Sequence, residues 1–361
     1  MNKRTCLYDR HVQLGANMQP FGGFDMPIEY TSIIEEHQAV RQHCGVFDVS
    51  HMGEVFVRGE DAERYVNHIF TNDVTDAPLH KIFYGMMCYP DGGTVDDLLV
   101  YKMAEQEFFI VINAANIDKD VAWMEEQAHG FAVEIDHVSD HFGQLAVQGP
   151  EAEAVMEEVL GLPCRELVFY TTKVLQVGGE DVIVSRTGYT GEDGFEIYGP
   201  HAFIVAQWDR LMASQRCRPC GLGCRDTLRF EVGLPLYGDE LSADISPVMA
   251  GLGMFCKFDK PEFIGKEALL RQKTEGVARR LRGIELADRA IPRHGYKVLK
   301  DGREVGEITT GYRLISVDKS CAVALVDADI QLGDTVEVAI RKKTFPGTVV
   351  KKKFYEKHYK K

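Results

Sequence analysis

Near residue 275 the chain changes its periodicity, and this break constrains the fold more than any other feature. Before it, stretches spaced for amphipathic helices alternate with short apolar strands. After it no helical spacing occurs. Extended runs at 282–286, 305–308 and 322–326 are separated by the turn signals Asp301-Gly302 and Leu332-Gly333-Asp334. Short strands between regular turns predict a small β-barrel. A domain boundary is therefore expected at 275–280. The 361 residues exceed what one ordinary core organises, so two or three packed domains are expected.

The earlier part reads as mixed α and β. Residues 31–44 suit a helix with Thr31 or Ser32 as N-cap, Glu35 at capping-box spacing from Ser32, and Gly45 as its stop. Residues 53–58 alternate like a strand, and 60–72 look helical. Residues 82–90 and 94–102 read as a hairpin around Asp91-Gly92-Gly93. An apolar strand at 107–113 follows, then a helix at 116–128 with Trp123 and Met124 inward. Residues 151–160 and 201–213 are helical, the second burying Trp208 and Leu211, and 181–186 is extended.

Composition excludes several classes. No apolar run reaches the roughly 18 residues of a membrane span. The start, Met1 to Cys6, has no apolar secretory segment, so a cytoplasmic location is the expectation. The nine cysteines are odd in number and scattered, which predicts reduced thiols. Net charge is −14; residues 341–361 hold nine basic residues against a single Glu, a local +8, which leaves −22 elsewhere. An acidic body argues against nucleic acid as a partner.

Several positions can carry chemistry. Asp96 and Asp97 are adjacent on a predicted strand, so only one faces a given side; in isolation they close a hairpin. The run 185–196, SRTGYTGEDGFE, lacks P-loop or dinucleotide spacing and in isolation is a hairpin loop. Arg225 opens Arg225-Asp226-Thr227-Leu228-Arg229, which alone reads as a helix turn with ion pairs. Asn113 and Asn116 are turn formers or polar pocket liners. His51 reads as a satisfied structural residue. Cys217, Cys220 and Cys224 have metal-like spacing, but a fourth ligand with matching spacing is missing, so no metal is expected.

Eight stretches in order carry a resemblance: MPIEYTSI (26–33), GVFDVSHMGEV (45–55), GGTVDDLLVYK (92–102), VINAANIDKD (111–120), SRTGYTGEDGFE (185–196), GLGCRDTLRFE (221–231), FIGKEALL (263–270) and VGEITTG (305–311), with KKKFY near the C-terminus. The chain resembles the T-protein (aminomethyltransferase) family of the glycine cleavage system. The resemblance implies an α+β, three-domain cloverleaf: two α+β domains around a folate channel within 1–275, the second at about 53–138, and a β-barrel at 280–361. It implies transfer of the methylene carbon from aminomethyl-dihydrolipoyl H-protein to tetrahydrofolate, with ammonia released, and neither metal nor flavin. Asp97 matches the family's catalytic carboxylate. Glu196 matches the pterin-binding carboxylate and Arg225 a folate-contacting arginine, with Tyr189 as a ring wall, Asn113 on the pocket, Met52 near the folate and Tyr359 as a C-terminal aromatic contact. Lipoylated H-protein and the other glycine cleavage components are the implied partners, with no membrane. The basic tail would attract folate glutamates or an acidic carrier.

Two departures stand out: the family often has Trp where this chain has Met254, expected to soften a pocket wall, and Ser-Pro-Thr-Leu where it has residues 314–317. Two other readings share the fold. One is a folate-linked transferase acting on methylated sulfur or nitrogen compounds. The other is a folate-binding iron–sulfur assembly factor, whose signature cysteine is missing from 260–267.

Overall fold

Strand Gly45–Asp48 leaves one sheet and strand Phe142–Gln148 returns beside it, antiparallel, in the computed structural model, which describes residues 2–360. Between them the chain builds a second sheet of its own. Its order is Ile82–Cys88, Thr94–Ala104, Glu107–Ile112, Gly53–Arg58, Glu134–His137. The first sheet runs Thr172–Val177, Glu180–Ser185, Gly194–Pro200, Phe142–Gln148, Gly45–Asp48, with the two-residue strand Arg218–Pro219 at its edge. Six strands from Arg279–Leu286 to Lys343–Val350 then close a barrel around Ile284, Val298, Ile308 and Val336.

Alternation along the strands decides what each sheet face meets. In Gly194–Pro200, Phe195 and Ile197 pack against Ile204, Trp208 and Leu211 of helix His201–Ser214. Tyr198 belongs to the other face and meets Tyr101 and Phe109 of the second sheet. In Thr94–Ala104, Leu98 and Val100 face helices Ala62–Ile69 and Ile117–Gln127, while Leu99 and Tyr101 turn toward the first sheet. The two sheets therefore pack face to face through an aromatic layer.

Most elements lie where the spacing put them. Ser32 caps helix Ile33–Gln42, its side chain accepting from Glu35 N at 3.2 Å. Gly45 does not stop that helix, as the sequence suggested; it begins the next strand, where a Cβ would lie 2.5 Å from Val40 Cγ2. The helical stretch at 151–160 is three α residues followed by a π-helical turn, Val155–Val159. Helix Lys266–Glu275 ends where the periodicity breaks, and barrel strand Arg279–Leu286 follows. Among the described residues no helix is long and apolar enough to cross a membrane.

One buried cation ties the units together. Arg41, on helix Ile33–Gln42, donates to Thr190 O (2.6 Å), Glu192 (3.0 Å), Leu228 O (3.2 Å), Glu231 (3.1 Å) and Ser316 Oγ (3.2 Å). Tyr355 of the C-terminal tail covers its guanidinium at 4.5 Å. Removing the cation takes the shared guanidinium from two buried carboxylates, Glu192 and Glu231. Arg41→Ala is expected to lower unfolding free energy by about 3–5 kcal/mol, measured by urea titration; a loss under ~1 kcal/mol would mean that the cluster behaves like a surface pair.

Candidate functional site

The hairpin that carries Asp97 is locked at its tip. Asp91 Oδ1 accepts from Gly93 N at 3.0 Å, and Thr94 N donates to Ser242 O at 2.9 Å. A Cβ at Gly93 would lie 1.9 Å from Ala243 O, so only glycine fits where the turn docks on that segment. Asp96 is fully buried on the face toward helix Ile117–Gln127; Asp97, one residue on, shares the face of Leu99 and Tyr101. Tyr84 OH donates to Asp97 Oδ2 at 2.9 Å, and Asn113 Nδ2 donates to Oδ1 at 3.1 Å. Burial and the adjacent Asp96 push the Asp97 carboxyl up to about 7, against those two donors. Asn113 and Asn116 are carboxylate holders: both donate to Asp96 Oδ1, at 2.8 and 2.7 Å.

Glu196 faces the same gap from the first sheet. Its oxygens accept from Gln144 Nε2 at 3.1 Å and from Thr187 Oγ1. Burial raises its proton affinity, and Thr187, Arg225 and Gln144 oppose that shift. The glycine-rich run before it is the hairpin loop into strand Gly194–Pro200. Cβ atoms at Gly188 and Gly194 would strike the Gln148 amide at 2.0 and 2.4 Å. That amide donates to Thr187 O at 3.1 Å and accepts from Thr190 Oγ1 at 2.9 Å. The glycines thus make room for a packed glutamine rather than cradling phosphate.

Arg225, on helix Leu222–Glu231, lies 4.6 Å over the Tyr189 ring. Among the described residues nothing accepts a hydrogen bond from its guanidinium. Tyr189 OH donates to Pro235 O, which fixes the ring. Met52 packs between the aromatic layer and the cluster of Val40, Phe47 and Leu228. Tyr359 stacks on Phe169 at 4.3 Å, and Phe169 abuts Tyr170 at 4.6 Å, so the tail reaches the gap through Tyr170. Asp97, Tyr84, Asn113, Met52, Tyr189 and Arg225 each keep accessible surface although both sheets surround them. Their partial exposure at depth marks a gap between the sheets, with a carboxylate on one side and, on the other, a second carboxylate and a guanidinium without an acceptor among the described residues.

Other residues depart from expectation. His51 is not a satisfied histidine: it is buried against Phe21 and Phe24, its Nδ1 has no partner, and burial pulls it down to about 4. Met254 is 72 % exposed and forms no wall of the hollow. Residues 315 and 316 cap Glu231 through their N–H groups, both at 2.8 Å. Asp226 and Arg229 bind each other at 2.7 Å, and Arg229 also reaches Glu240, a structural use. Glu36, Cys220 and Cys224 lie within 4.8 Å of one another. The Glu36 oxygens, however, already accept from Tyr30 N, Thr31 N and Gly221 N. The basic tail is partly neutralised: Lys353 pairs with Glu356, Lys360 with Glu153, and Lys352 donates to Ala250 O.

Residues 7–260 match the family model described as the GCVT N-terminal domain, and 279–356 match the glycine cleavage T-protein C-terminal barrel domain. The chain belongs to the glycine cleavage T-protein family. It is 48 % identical to an aminomethyltransferase of Moorella thermoacetica, with 98 % of each chain covered. It is 47 % identical to one from Alkaliphilus oremlandii, with 99 % of each covered. The crystal structure of glycine cleavage system aminomethyltransferase T from Bartonella henselae superposes with a TM-score of 0.95 at 32 % identity, over 100 % of both chains. Of the residues the sequence pointed to as one set, Asp97, Asn113, Glu196, Arg225, Tyr189 and Met52 lie around the gap between the two sheets, while Tyr359 stacks on Phe169 beside it. The sequence missed Tyr84, Gln144, Thr187 and Tyr170. Only Tyr84 had a usable signal: the hairpin register places it opposite Leu99, two positions from Asp97 and on its face.

A carboxyl whose proton affinity rises on folding opposes folding once it ionises, between its unfolded value near 3.8 and its folded value of about 7. Asp97→Asn is therefore expected to raise the melting temperature at pH 8, by an amount equivalent to at least ~1 kcal/mol. Below about pH 3, where both states are protonated, the gain should vanish; a lower melting temperature at pH 8 would contradict this.

Proposed function

We propose that the chain is a tetrahydrofolate-dependent aminomethyltransferase of the glycine cleavage system, acting in the cytoplasm on aminomethyl-dihydrolipoyl H-protein. The observation that carries this reading is the placement of the groups: Asp97, held by Tyr84 and Asn113, faces Glu196 and an Arg225 guanidinium that no acceptor among the described residues satisfies. A pterin offers adjacent N–H donors that a carboxylate accepts in pairs and a carbonyl that a guanidinium donates to. Glu196 and Arg225 supply both, Tyr189 and Met52 flank the ring, and Tyr359 contributes from the tail. Residues 1–275 would hold the folate, with the unit at about 53–138 bringing Asp97, and 280–361 would form the supporting barrel.

The protein supplies position and charge. The arm carries carbon as S–CH2–NH2. Folate N5 forms its bond to that carbon and bears positive charge, which ionised Asp97 stabilises. The C–N bond breaks with ammonia leaving, the C–S bond breaks with its electron pair returning to sulfur as the dihydrolipoyl thiol, and N10 closes the methylene bridge; the two protons that N5 and N10 give up pass to the leaving amine and the sulfur. No electron transfer is required, so the step calls for no redox cofactor. Because Asp97 acts charged, turnover falls as pH drops below about 7.

The test measures ammonia and methylenetetrahydrofolate with and without loaded H-protein. Product is expected only with the carrier; product formed from a methylated amine or sulfur compound without it would favour the related transferase reading. Asp97→Asn should keep folate affinity within a few-fold yet lower turnover at least ~100-fold, the scale of one positioned charge. Near-normal turnover would remove Asp97 from the chemistry.

A further inference from the structure

Behind Asp97, on the opposite face of its strand, two more carboxyls are shut away from solvent. Asp96 and Asp120 are both fully buried. Asp96 accepts from Asn113 N at 2.9 Å, Asn113 Nδ2 at 2.8 Å and Asn116 Nδ2 at 2.7 Å. Asp120, on helix Ile117–Gln127, comes within hydrogen-bonding reach of Asp96. Its Oδ1 takes the Lys119 ammonium at 2.7 Å, but its Oδ2 finds no donor among the described residues. Two buried carboxylates in contact do not both ionise beside a single ammonium. If Oδ2 carries a proton and donates it to Asp96, the orphaned oxygen is satisfied and one negative charge remains.

We propose that Asp120 is a protonated carboxylic acid donating to Asp96, and that Asp96, bridged by Asn113, is a positioning residue that sets the orientation and ionisation of Asp97. The bridge is direct. The Asn113 amide nitrogen donates to Asp96 Oδ1 at 2.8 Å and to Asp97 Oδ1 at 3.1 Å, and its backbone N–H also points at Asp96. Asp96 therefore fixes the Asn113 side chain, and Asn113 with Tyr84 fixes the plane of the Asp97 carboxylate. Burial and Asp96 together push Asp120 up to about 10, in line with the shared proton.

The titratable groups that act on Asp97 are few. Asp96 is its neighbour on the strand, Tyr84 lies on the adjacent strand, and Tyr170 and Tyr189 reach in from the first sheet's loops. Tyr237 comes from the segment after helix Leu222–Glu231, and Lys119 flanks the buried pair. All four tyrosines are raised by burial and stay neutral at working pH. Glu196 and Arg225 face Asp97 from the first sheet and helix Leu222–Glu231, while Asp96 is the charge adjacent to it and the one that raises its proton affinity after burial.

This inference rests on the role proposed for Asp97, so the experiment has two readouts. Buried Glu54, both of whose oxygens lack hydrogen-bond partners among the described residues, is also pushed toward its acid form by burial. The first readout is therefore the difference between the infrared spectra of the full parent chain and Asp120→Asn at pH 8, which should contain the carbonyl band of a buried carboxylic acid. A difference spectrum without that band overturns the shared proton. The second readout is the pH profile of methylene transfer. Asp120→Asn should keep the parent's acid limb, because an amide N–H replaces the acid O–H. Asp96→Asn should move the limb to lower pH by ~1–2 units, the effect of removing a contacting like charge. Asn113→Ala should move it upward, since ionised Asp97 loses a donor; it serves where Asp96→Asn does not fold. An unmoved limb in either folded variant overturns the positioning role. A parent profile with no acid limb, beside an infrared band that behaves as expected, overturns the Asp97 reading but leaves the shared proton standing.

Discussion

The arrangement depends on Arg41. Its fork of donors meets a carbonyl and a carboxylate from the loop before strand Gly194–Pro200, a second carbonyl and carboxylate at the end of helix Leu222–Glu231, and a hydroxyl from the barrel. Tyr355 closes it from the tail. Lysine has neither the planar fork nor the number of fixed donors to serve five acceptors at once. His37 adds to the same centre, bonding Thr227 at 2.9 Å and Ser316 at 3.0 Å. Because Glu196 follows that loop and Arg225 rides on that helix, the cluster sets one wall of the hollow although none of its members faces it.

The other wall is a matter of strand parity. Each inner face of the two sheets carries every second residue; an aromatic layer lies between them, and Asp97 and Glu196 share these inner faces with the buried polar residues Glu54, Gln144 and Ser185. A one-residue slip in the hairpin would exchange Asp96 for Asp97 and bury the wrong carboxyl. The locked turn at Gly93 and the docking of Thr94 on the segment 242–245 resist such a slip. The tip of the hairpin thus determines which carboxylate a substrate would meet.

What could be read in the sequence was what repeats or lies close along the chain. The helix at 33–42, the hairpin and the barrel follow from spacing and turn chemistry, and Trp208 and Leu211 from helical period. The candidate site residues came as a set only through resemblance to a family; alone, each had an ordinary structural explanation. What stayed hidden depends on distant partners. Arg41 meets Glu192 and Glu231 across 151 and 190 positions, and His51 lost its expected partner to aromatic packing. Asp120 went unread, because nothing near it in sequence reveals that its helix packs over Asp96. Met254 was misplaced for the opposite reason: family pattern suggested a wall, and the backbone turns it outward.

Burial alone decides little about a carboxyl here. Glu231 is as enclosed as any, yet His37, Ser316 and backbone N–H groups hold it down to about 2. Asp97, with a phenol and an amide as donors and a like charge beside it, is held near 7, and Asp120 near 10. The difference lies in who supplies the donors. Where the fold uses a carboxylate for itself, as at Glu231, it surrounds the group with cations and N–H groups and the charge is fully matched. At Asp97 the match is left incomplete, which weakens the folded state but leaves a partly satisfied anion facing the hollow. An incoming group that develops positive charge then gains an interaction that no side chain has already taken.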